Sequence, residues 1–293
     1  MMGPFEYFEP LSVKEAVSLL NKYGNKAKVL AGGTDLVSLL KDKTLSPEYV
    51  ISIGKLTDLD YIKSDGKKGL RIGAMTTIRS IETSKHLKPI NCVILCQAAS
   101  QMASMSIRNV GTLAGNLCNA SPSADMAPAL LVLGASVKLV SASGERTLTL
   151  DEFFVGPGST AIKPNELLTE IQIPVPPPHT GGSYIKYVTR GGEELALIGV
   201  AALLTIGADG VCSAARIALG AVAPTPVRAT KTEKLLTGKK IDDTLVKKAA
   251  QTASDEASPI DDIRGSAEYR REMLKVFTRD AIKQAAEMAK SAA

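Results

Sequence analysis

Two glycine-rich stretches, KVLAGGTDLV at residues 28–37 and IRNVGTLAGNLCNASPSAD at residues 107–125, carry the residue types that can bind a phosphate group. In each stretch the glycines leave peptide N–H groups uncovered close to the start of an apolar, helix-like segment. The N-terminus of a helix carries partial positive charge, so such a turn suits an anion. Either stretch alone is more often an ordinary turn, but two in one chain favour a pyrophosphate held from both sides.

The second stretch carries no charge between Arg108 and Asp125. Small, uncharged residues allow backbone amides and the side chains of Asn and Thr to approach a charged pyrophosphate closely. We therefore predict a long loop here, followed by a helix that starts at Asp125 and leaves its carboxylate for a ribose hydroxyl. In the first stretch, Thr34 or Asp35 is predicted to cap the following helix.

Sequence motifs for other kinds of active site are missing from the chain. No G-x-x-x-x-G-K-[ST] and no G-x-S-x-G occurs, and GPGSTA at residues 156–161 fits the dinucleotide fingerprint only formally, because prolines interrupt the turn and the expected helix. The four cysteines form no C-x-x-C pair, and the two histidines have no metal-ligand spacing, so neither a metal ion nor an iron–sulfur cluster is expected in this chain. The remaining interpretation is a protein that holds a redox cofactor with its own chemistry.

Composition narrows the class of partner. The chain has 293 residues and a net charge of +5, with 45% hydrophobic and 22% charged residues, which is typical of a globular protein of two domains. The basic residues are scattered and aromatics make up 4%, which argues against a nucleic-acid partner. The longest apolar run, residues 195–207, is too short for a membrane span. No secretion signal is visible, and we expect a cytoplasmic protein.

The elements that must position the two stretches follow from periodicity. Ser12 and Glu15 open a predicted amphipathic helix, and residues 136–150 predict a hairpin with its turn at Ser143 and Gly144. Prolines at 174 and 176–178 predict a domain boundary near residue 177. Beyond it, alternating apolar runs predict an antiparallel meander, and the chain from Asp242 onward is predicted to be helical.

The two glycine-rich stretches closely resemble the FAD-binding motifs of the flavin subunits of molybdenum hydroxylases, the family of xanthine, carbon monoxide and nicotinate dehydrogenases. The likeness continues in FEYFEPLSVKEAVSLL, YIKYVTRGGEELALIGVAALLTI and IALGAVAPTPVRATKTEKLLTGK, and so covers nearly the whole chain. It implies an α+β fold. An FAD-binding domain of the p-cresol-methylhydroxylase type (1–177), made of two α/β subdomains (1–54 and 55–177), precedes a small C-terminal domain (178–293) of the carbon monoxide dehydrogenase flavoprotein type, with an antiparallel sheet and helices.

The resemblance also implies a role. In this family electrons leave the substrate at a molybdopterin in a large subunit, pass through [2Fe-2S] clusters in a small subunit, reach FAD in the flavin subunit, and leave for NAD+ or another acceptor. This chain would therefore hold FAD without a covalent bond, and the molybdopterin and the clusters would belong to partner subunits. No side chain here is expected to be catalytic, since the flavin performs the redox chemistry.

Carried over position by position, the resemblance implies a set of FAD-binding residues. Ala114 departs from the usual T-I-G-G-N pattern, which has a glycine at that position. Simpler interpretations remain for three of the set: Leu168 as core, Lys186 as a solvated charge and Asp125 as a helix cap. The full set is Val29, Leu30, Ala31, Gly32, Gly33, Thr34, Asp35, Leu36, Met102, Thr112, Leu113, Ala114, Gly115, Asn116, Asp125, Leu168 and Lys186.

Two other functions fit an FAD-binding chain. One is a module that carries FAD as a structural element, without electron transfer. The other is a stand-alone flavin oxidase of the p-cresol-methylhydroxylase type, in which His, Cys or Tyr commonly attaches the flavin covalently. Both histidines lie outside the two stretches and the C-terminal part is small, which argues against the oxidase.

Overall fold

The computed structural model of the protein describes residues 3–64, 69–87, 92–191 and 193–291. Its first part is a three-stranded parallel sheet with helices between the strands. Along the chain come β1 (Glu6–Phe8), α1 (Val13–Tyr23), β2 (Ala27–Leu30), α2 (Leu36–Lys41) and β3 (Tyr49–Ser52). The strands pair in the order β1-β3-β2. Ser12 caps α1 as predicted, because its Oγ accepts a hydrogen bond from the Glu15 N–H at 3.2 Å.

The second part is an antiparallel sheet covered by short helices. Its strands are β4 (Ile62–Ser64), β5 (Leu70–Gly73), β6 (Ser136–Ser141), β7 (Gly144–Thr149) and, after the small β8 (Phe154–Gly156) and β9 (Ser159–Thr160) pair, β10 (Leu167–Ile173). They stand in the order β4-β5-β10-β6-β7, and the predicted hairpin of β6 and β7 is confirmed. The helices are α3 (Ile78–Glu82), α4 (Val93–Ser100), α5 (Met105–Val110), α6 (Leu113–Asn119), α7 (Met126–Val132) and α8 (Leu150–Phe153).

The C-terminal part is the predicted antiparallel meander with helices. It contains β11 (Thr180–Tyr187), β12 (Ile198–Ile206), β13 (Val211–Gly220), β14 (Val227–Arg228), α9 (Thr230–Leu236), β15 (Lys239–Lys240), α10 (Asp243–Glu256) and α11 (Ala267–Ser291). The sheet is covered on both faces, since Ala201 and Leu203 belong to the core shared with the first two parts of the chain while Val200 and Leu204 pack with α11. Burial on both faces explains why β12 is apolar almost throughout.

The predicted loop of residues 109–124 is wrong over most of its length. The stretch forms α5 and α6, separated by Gly111 and Thr112. Both helices are capped locally: the Ser104 Oγ accepts from the Ile107 N–H at 3.3 Å, and the Thr112 Oγ1 accepts from the Gly115 N–H at 3.0 Å. A side-chain cap supplies an acceptor for an otherwise unpaired N–H of the first turn, which stabilises a short helix even where glycine and asparagine are frequent.

In the part of the chain that the structure describes, no helix is both long and apolar enough to cross a membrane.

Candidate functional site

The two glycine-rich stretches form facing walls of one cavity of about 680 Å³. A volume of this size is typical of a site for a small molecule or cofactor. Thirteen of the residues that the resemblance assigns to FAD line it: Val29, Ala31, Gly32, Gly33, Thr34, Asp35, Leu36, Met102, Thr112, Ala114, Gly115, Asn116 and Leu168. The other four, Leu30, Leu113, Asp125 and Lys186, are not among the lining residues.

The backbones of the two stretches touch at Gly32. A Cβ atom built on Gly32 would overlap the carbonyl oxygen of Val110 and lie 2.9 Å from the Cα of Gly111. The neighbouring atoms are backbone, so they cannot move aside as a flexible side chain would. Glycine is therefore required at this position for the backbones of the two stretches to approach this closely.

The first stretch offers free peptide N–H groups to the cavity. Among the described residues, none accepts a hydrogen bond from the N–H of Gly32, Gly33 or Thr34. Gly33 has a φ of +75°, in the left-handed region that glycine adopts without strain. This turn therefore matches the predicted anion-binding backbone.

Several N–H groups of the second stretch already have acceptors within the protein. The N–H of Gly111 donates to the carbonyl of Ile107 at 2.7 Å, and that of Leu113 donates to the carbonyl of Thr76 at 3.0 Å. Gly115 is engaged by the Thr112 cap at 3.0 Å. This wall therefore presents side chains more than backbone, and the buried Oδ1 of Asn116 has no hydrogen-bond partner among the described residues.

The predicted helix cap at Thr34 or Asp35 is wrong. Helix α2 begins after Asp35, but no side chain caps it. The Asp35 carboxylate instead accepts a hydrogen bond from the Nδ2 of Asn119, 3.1 Å away, which ties the first stretch to the end of α6. Burial raises the pKa of the Asp35 carboxyl, and a hydrogen bond from Thr34 opposes that rise. Asn119 was missed from the sequence because a lone asparagine at a helix end gives no signal of a partner 84 residues away.

Three charged residues of the cavity lining were not assigned to FAD from the sequence. They are Lys28, the first residue of the first stretch, Lys163 and Glu166, and the two lysines add positive charge to the lining. Arg146 holds Glu166 with two hydrogen bonds of 2.7 and 2.8 Å. Burial raises the pKa of the Glu166 carboxyl, but the hydrogen bonds from Arg146 and from the Lys163 N–H outweigh it, so the net pKa lies below its usual value.

Asp125 and Lys186 lie together in a buried ion pair. The Nζ of Lys186 is 2.9 Å from the Oδ2 of Asp125, and the two side chains are 5% and 6% exposed. The hydroxyl of Tyr184 donates to the Oδ1 of Asp125 at 2.9 Å. Burial raises the pKa of the Asp125 carboxyl. The positive charge of Lys186 and the hydrogen bonds from Lys186 and Tyr184 oppose this rise. Neither simpler interpretation holds, because Asp125 makes no side-chain cap and Lys186 is not a solvated charge.

Leu168 is buried at 3% exposure and also lines the cavity, so it is both core and wall. Leu113, the first residue of α6, is fully buried in the core. Leu30 packs against the turn of the first stretch, since a Cβ on Gly33 would lie 3.1 Å from its Cδ1.

Comparison with known protein families matches most of the chain. Residues 3–176 match the family described as FAD binding domain in molybdopterin dehydrogenase, and residues 183–285 match the CO dehydrogenase flavoprotein C-terminal domain. The chain belongs to this family of flavin subunits. The predicted family, the α+β architecture and the FAD cofactor are thereby confirmed.

Several relatives are similar over almost their full length. The glyceraldehyde dehydrogenase medium chain of Sulfolobus acidocaldarius is 36% identical over 96% of this chain and 98% of its own length. The carbon monoxide dehydrogenase medium chain of Afipia carboxidovorans is 36% identical over 99% of both chains. A solved structure of reconstituted CO dehydrogenase from Oligotropha carboxidovorans superposes with a TM-score of 0.94 at 36% identity, covering 98% of this chain and 99% of that one.

The residues of this flavin subunit fit the pyrophosphate of FAD. The free N–H groups of Gly32, Gly33 and Thr34 are suitable donors for phosphate oxygens, and the side-chain Nδ2 of Asn116, in the second stretch, is a further donor at the cavity. The Ala114 methyl, at 5% exposure, leaves the cavity between these walls open, so the departure from T-I-G-G-N does not fill the site.

Proposed function

We propose that this chain holds one FAD non-covalently between the two glycine-rich stretches and relays electrons from the [2Fe-2S] clusters of a partner subunit to NAD+ or another acceptor. The observation that carries the proposal is that the two family motifs meet backbone to backbone at Gly32 and wall a single cavity. When bound there, FAD supplies the redox chemistry by accepting and releasing electrons. The residues of the chain bind and orient it.

In this proposal each wall of the cavity has a role. Gly32, Gly33 and Thr34 would donate N–H groups to the pyrophosphate, and the Nδ2 of Asn116 would donate to it from the other side. The side chains of Lys28 and Lys163 would offset its negative charge. The apolar lining residues would exclude water from the cofactor: Val29, Ala31, Leu36, Met102, Ala114 and Leu168.

Asp125 and Lys186 retain their predicted contacts in this proposal. A carboxylate has about four acceptor positions, and Asp125 uses one on each oxygen, so it can still accept from a ribose hydroxyl. Lys186 donates to Asp125 and to the carbonyl of Gln101, which leaves one of its three N–H groups for the cofactor.

The proposed partners are a large molybdopterin-binding subunit and a small subunit that carries the [2Fe-2S] clusters. Two relatives are named medium chains, which suits one component of such an assembly. We further place the complex in the cytoplasm, since Cys96, Cys118 and Cys212 are free thiols, as is usual in a reducing compartment.

Non-covalent binding is directly testable. Among the cavity-lining residues, Cys118 is the only one of a type that attaches flavin covalently. We expect acid precipitation of the natively purified complex to release one FAD per copy of this chain into the supernatant, with Cys118→Ala giving the same yield. Flavin that stays with the precipitated wild-type protein but is released from Cys118→Ala would contradict the proposal and identify a covalent bond.

A further inference from the structure

The turn that follows α4 is fixed by two cations. The Nζ of Lys186 donates to the carbonyl oxygen of Gln101 at 3.0 Å. The Nη1 of Arg108 donates to the next two carbonyl oxygens, those of Met102 and Ala103, at 2.8 Å each. Three successive carbonyl groups, here named the 101–103 turn, therefore all accept from charged donors.

The backbone of this turn needs such support. Ala103 has a φ of +40°, in the left-handed region that residues with a Cβ rarely adopt. Charge-assisted hydrogen bonds are stronger than neutral ones and so can hold a conformation that the residue itself disfavours. Arg108 is in turn held by Glu82, whose Oε2 lies 3.0 Å from its Nε, and the two side chains are 11% and 16% exposed.

The C-terminal part contacts the same turn a second time. The side-chain amide of Gln101 accepts from the Lys186 N–H at 3.2 Å and donates to the Tyr184 carbonyl at 3.3 Å. Gln97, one helical turn earlier, accepts from the Tyr184 N–H at 3.0 Å. The side chains of Gln97 and Gln101 thus hydrogen-bond to the backbone of the edge strand β11, as a neighbouring strand would. The position of the turn is therefore fixed by Arg108 on one side and by β11 of the C-terminal part on the other.

The turn places a residue in the cavity. Met102 lines the cavity, and its sulfur lies 4.0 Å from the Nδ2 of Asn116. Asn116 is the residue whose buried Oδ1 lacks a partner. A displacement of the turn would therefore move the cavity wall at Met102 and disturb the contact between Met102 and the Asn116 amide, which also lines the cavity.

We propose that Arg108 is a positioning residue for the cofactor, which acts through the 101–103 turn on Met102 and Asn116, with Lys186 holding the same turn from the C-terminal part. The proposal rests on the proposed function only in that FAD occupies this cavity. Arg108 itself does not line the cavity.

The test is Arg108→Gln in the intact complex, with Arg79→Gln as the matched control. Arg79 binds the same Glu82 oxygen at 2.9 Å but makes no hydrogen bond to the turn among the described residues. We expect Arg108→Gln to raise the Kd for FAD by about tenfold to a hundredfold, the loss typical of charge-assisted hydrogen bonds, and to shift the visible spectrum of bound flavin. Arg79→Gln should leave both the Kd and the spectrum unchanged.

Arg108→Lys is a second variant that tests the same proposal if Arg108→Gln does not fold. Lysine keeps the charge but has no second nitrogen to bind Glu82 and the two carbonyls at once, as Nε and Nη1 of Arg108 do, so the Kd and the spectrum should change in the same direction by a smaller amount. An unchanged Kd and spectrum in both Arg108 variants, or an equal change in Arg79→Gln, would overturn the inference. A wild-type complex that binds no FAD would instead refute the proposed function.

Discussion

Gly32→Ala should remove FAD from the protein. The new methyl group would overlap the Val110 carbonyl, and because the obstacle is backbone, the two walls of the cavity must separate. Overpacking of this kind typically costs about 1–3 kcal/mol, and the displaced walls can no longer bind one pyrophosphate together. We expect FAD affinity to fall by at least about tenfold to a hundredfold, at roughly 1.4 kcal/mol per tenfold. FAD content after gel filtration of the purified complex measures this.

Gly156→Ala is the matched control. A Cβ at Gly156 would meet nothing closer than the Ser159 Cβ at 3.9 Å, an ordinary contact, so this variant should keep its full FAD content. Circular dichroism of both variants shows whether the chain remains folded. Full FAD occupancy in a folded Gly32→Ala protein would contradict the assigned site.

Asp125→Ala should cause the largest loss of stability. It leaves the Lys186 ammonium buried without its partner, and breaking a buried ion pair in this way typically costs about 3–5 kcal/mol. The free energy of unfolding, measured by denaturant titration of FAD-free protein, should fall by about that amount. If Asp125 also binds the ribose, the same variant should weaken FAD by about one to two decades, the value of a hydrogen bond to a charged group.

The double variant Asp125→Asn with Lys186→Met separates these two roles. It removes both charges, keeps an acceptor for the Tyr184 hydroxyl, and should restore most of the stability of the FAD-free protein. Weak FAD binding should persist, because the contacts predicted for the carboxylate and the ammonium are still missing. Wild-type affinity in the double variant would refute the direct contacts, and an unchanged unfolding free energy in Asp125→Ala would refute the stabilising ion pair.

Local patterns predicted much of the fold. The β6–β7 hairpin and the meander from β11 to β13 follow from alternation and turn residues, which act over a few positions. The stretch of residues 109–124 was predicted wrongly as a loop because its composition outweighed two local caps, Ser104 and Thr112. Gly115 lies within helix α6, where a Cβ would meet the Thr112 Oγ1 at 2.9 Å, so space at the cap rather than a left-handed backbone favours glycine there.

The candidate site was predicted from motif resemblance, whereas its pairings were not. Asp125 and Lys186 are 61 residues apart in the chain, and Asn119 and Asp35 are 84 apart. Periodicity and spacing describe only which residues share a face of one helix or strand. They do not indicate which residues of distant elements come into contact. The same limit applies to Lys163, which lines the cavity but lies outside both glycine-rich stretches.

Electron transfer in the natively purified complex, with and without FAD, tests the central claim most directly. Substrates are screened from those that name the relatives, such as glyceraldehyde and carbon monoxide. Reduction of the [2Fe-2S] clusters is then followed by electron paramagnetic resonance, and reduction of NAD+ or an artificial acceptor by absorbance. We predict that FAD-depleted complex reduces its clusters as the intact complex does but passes no electrons to the acceptor, and that added FAD restores the transfer. Acceptor reduction at an undiminished rate in FAD-depleted complex would contradict the account.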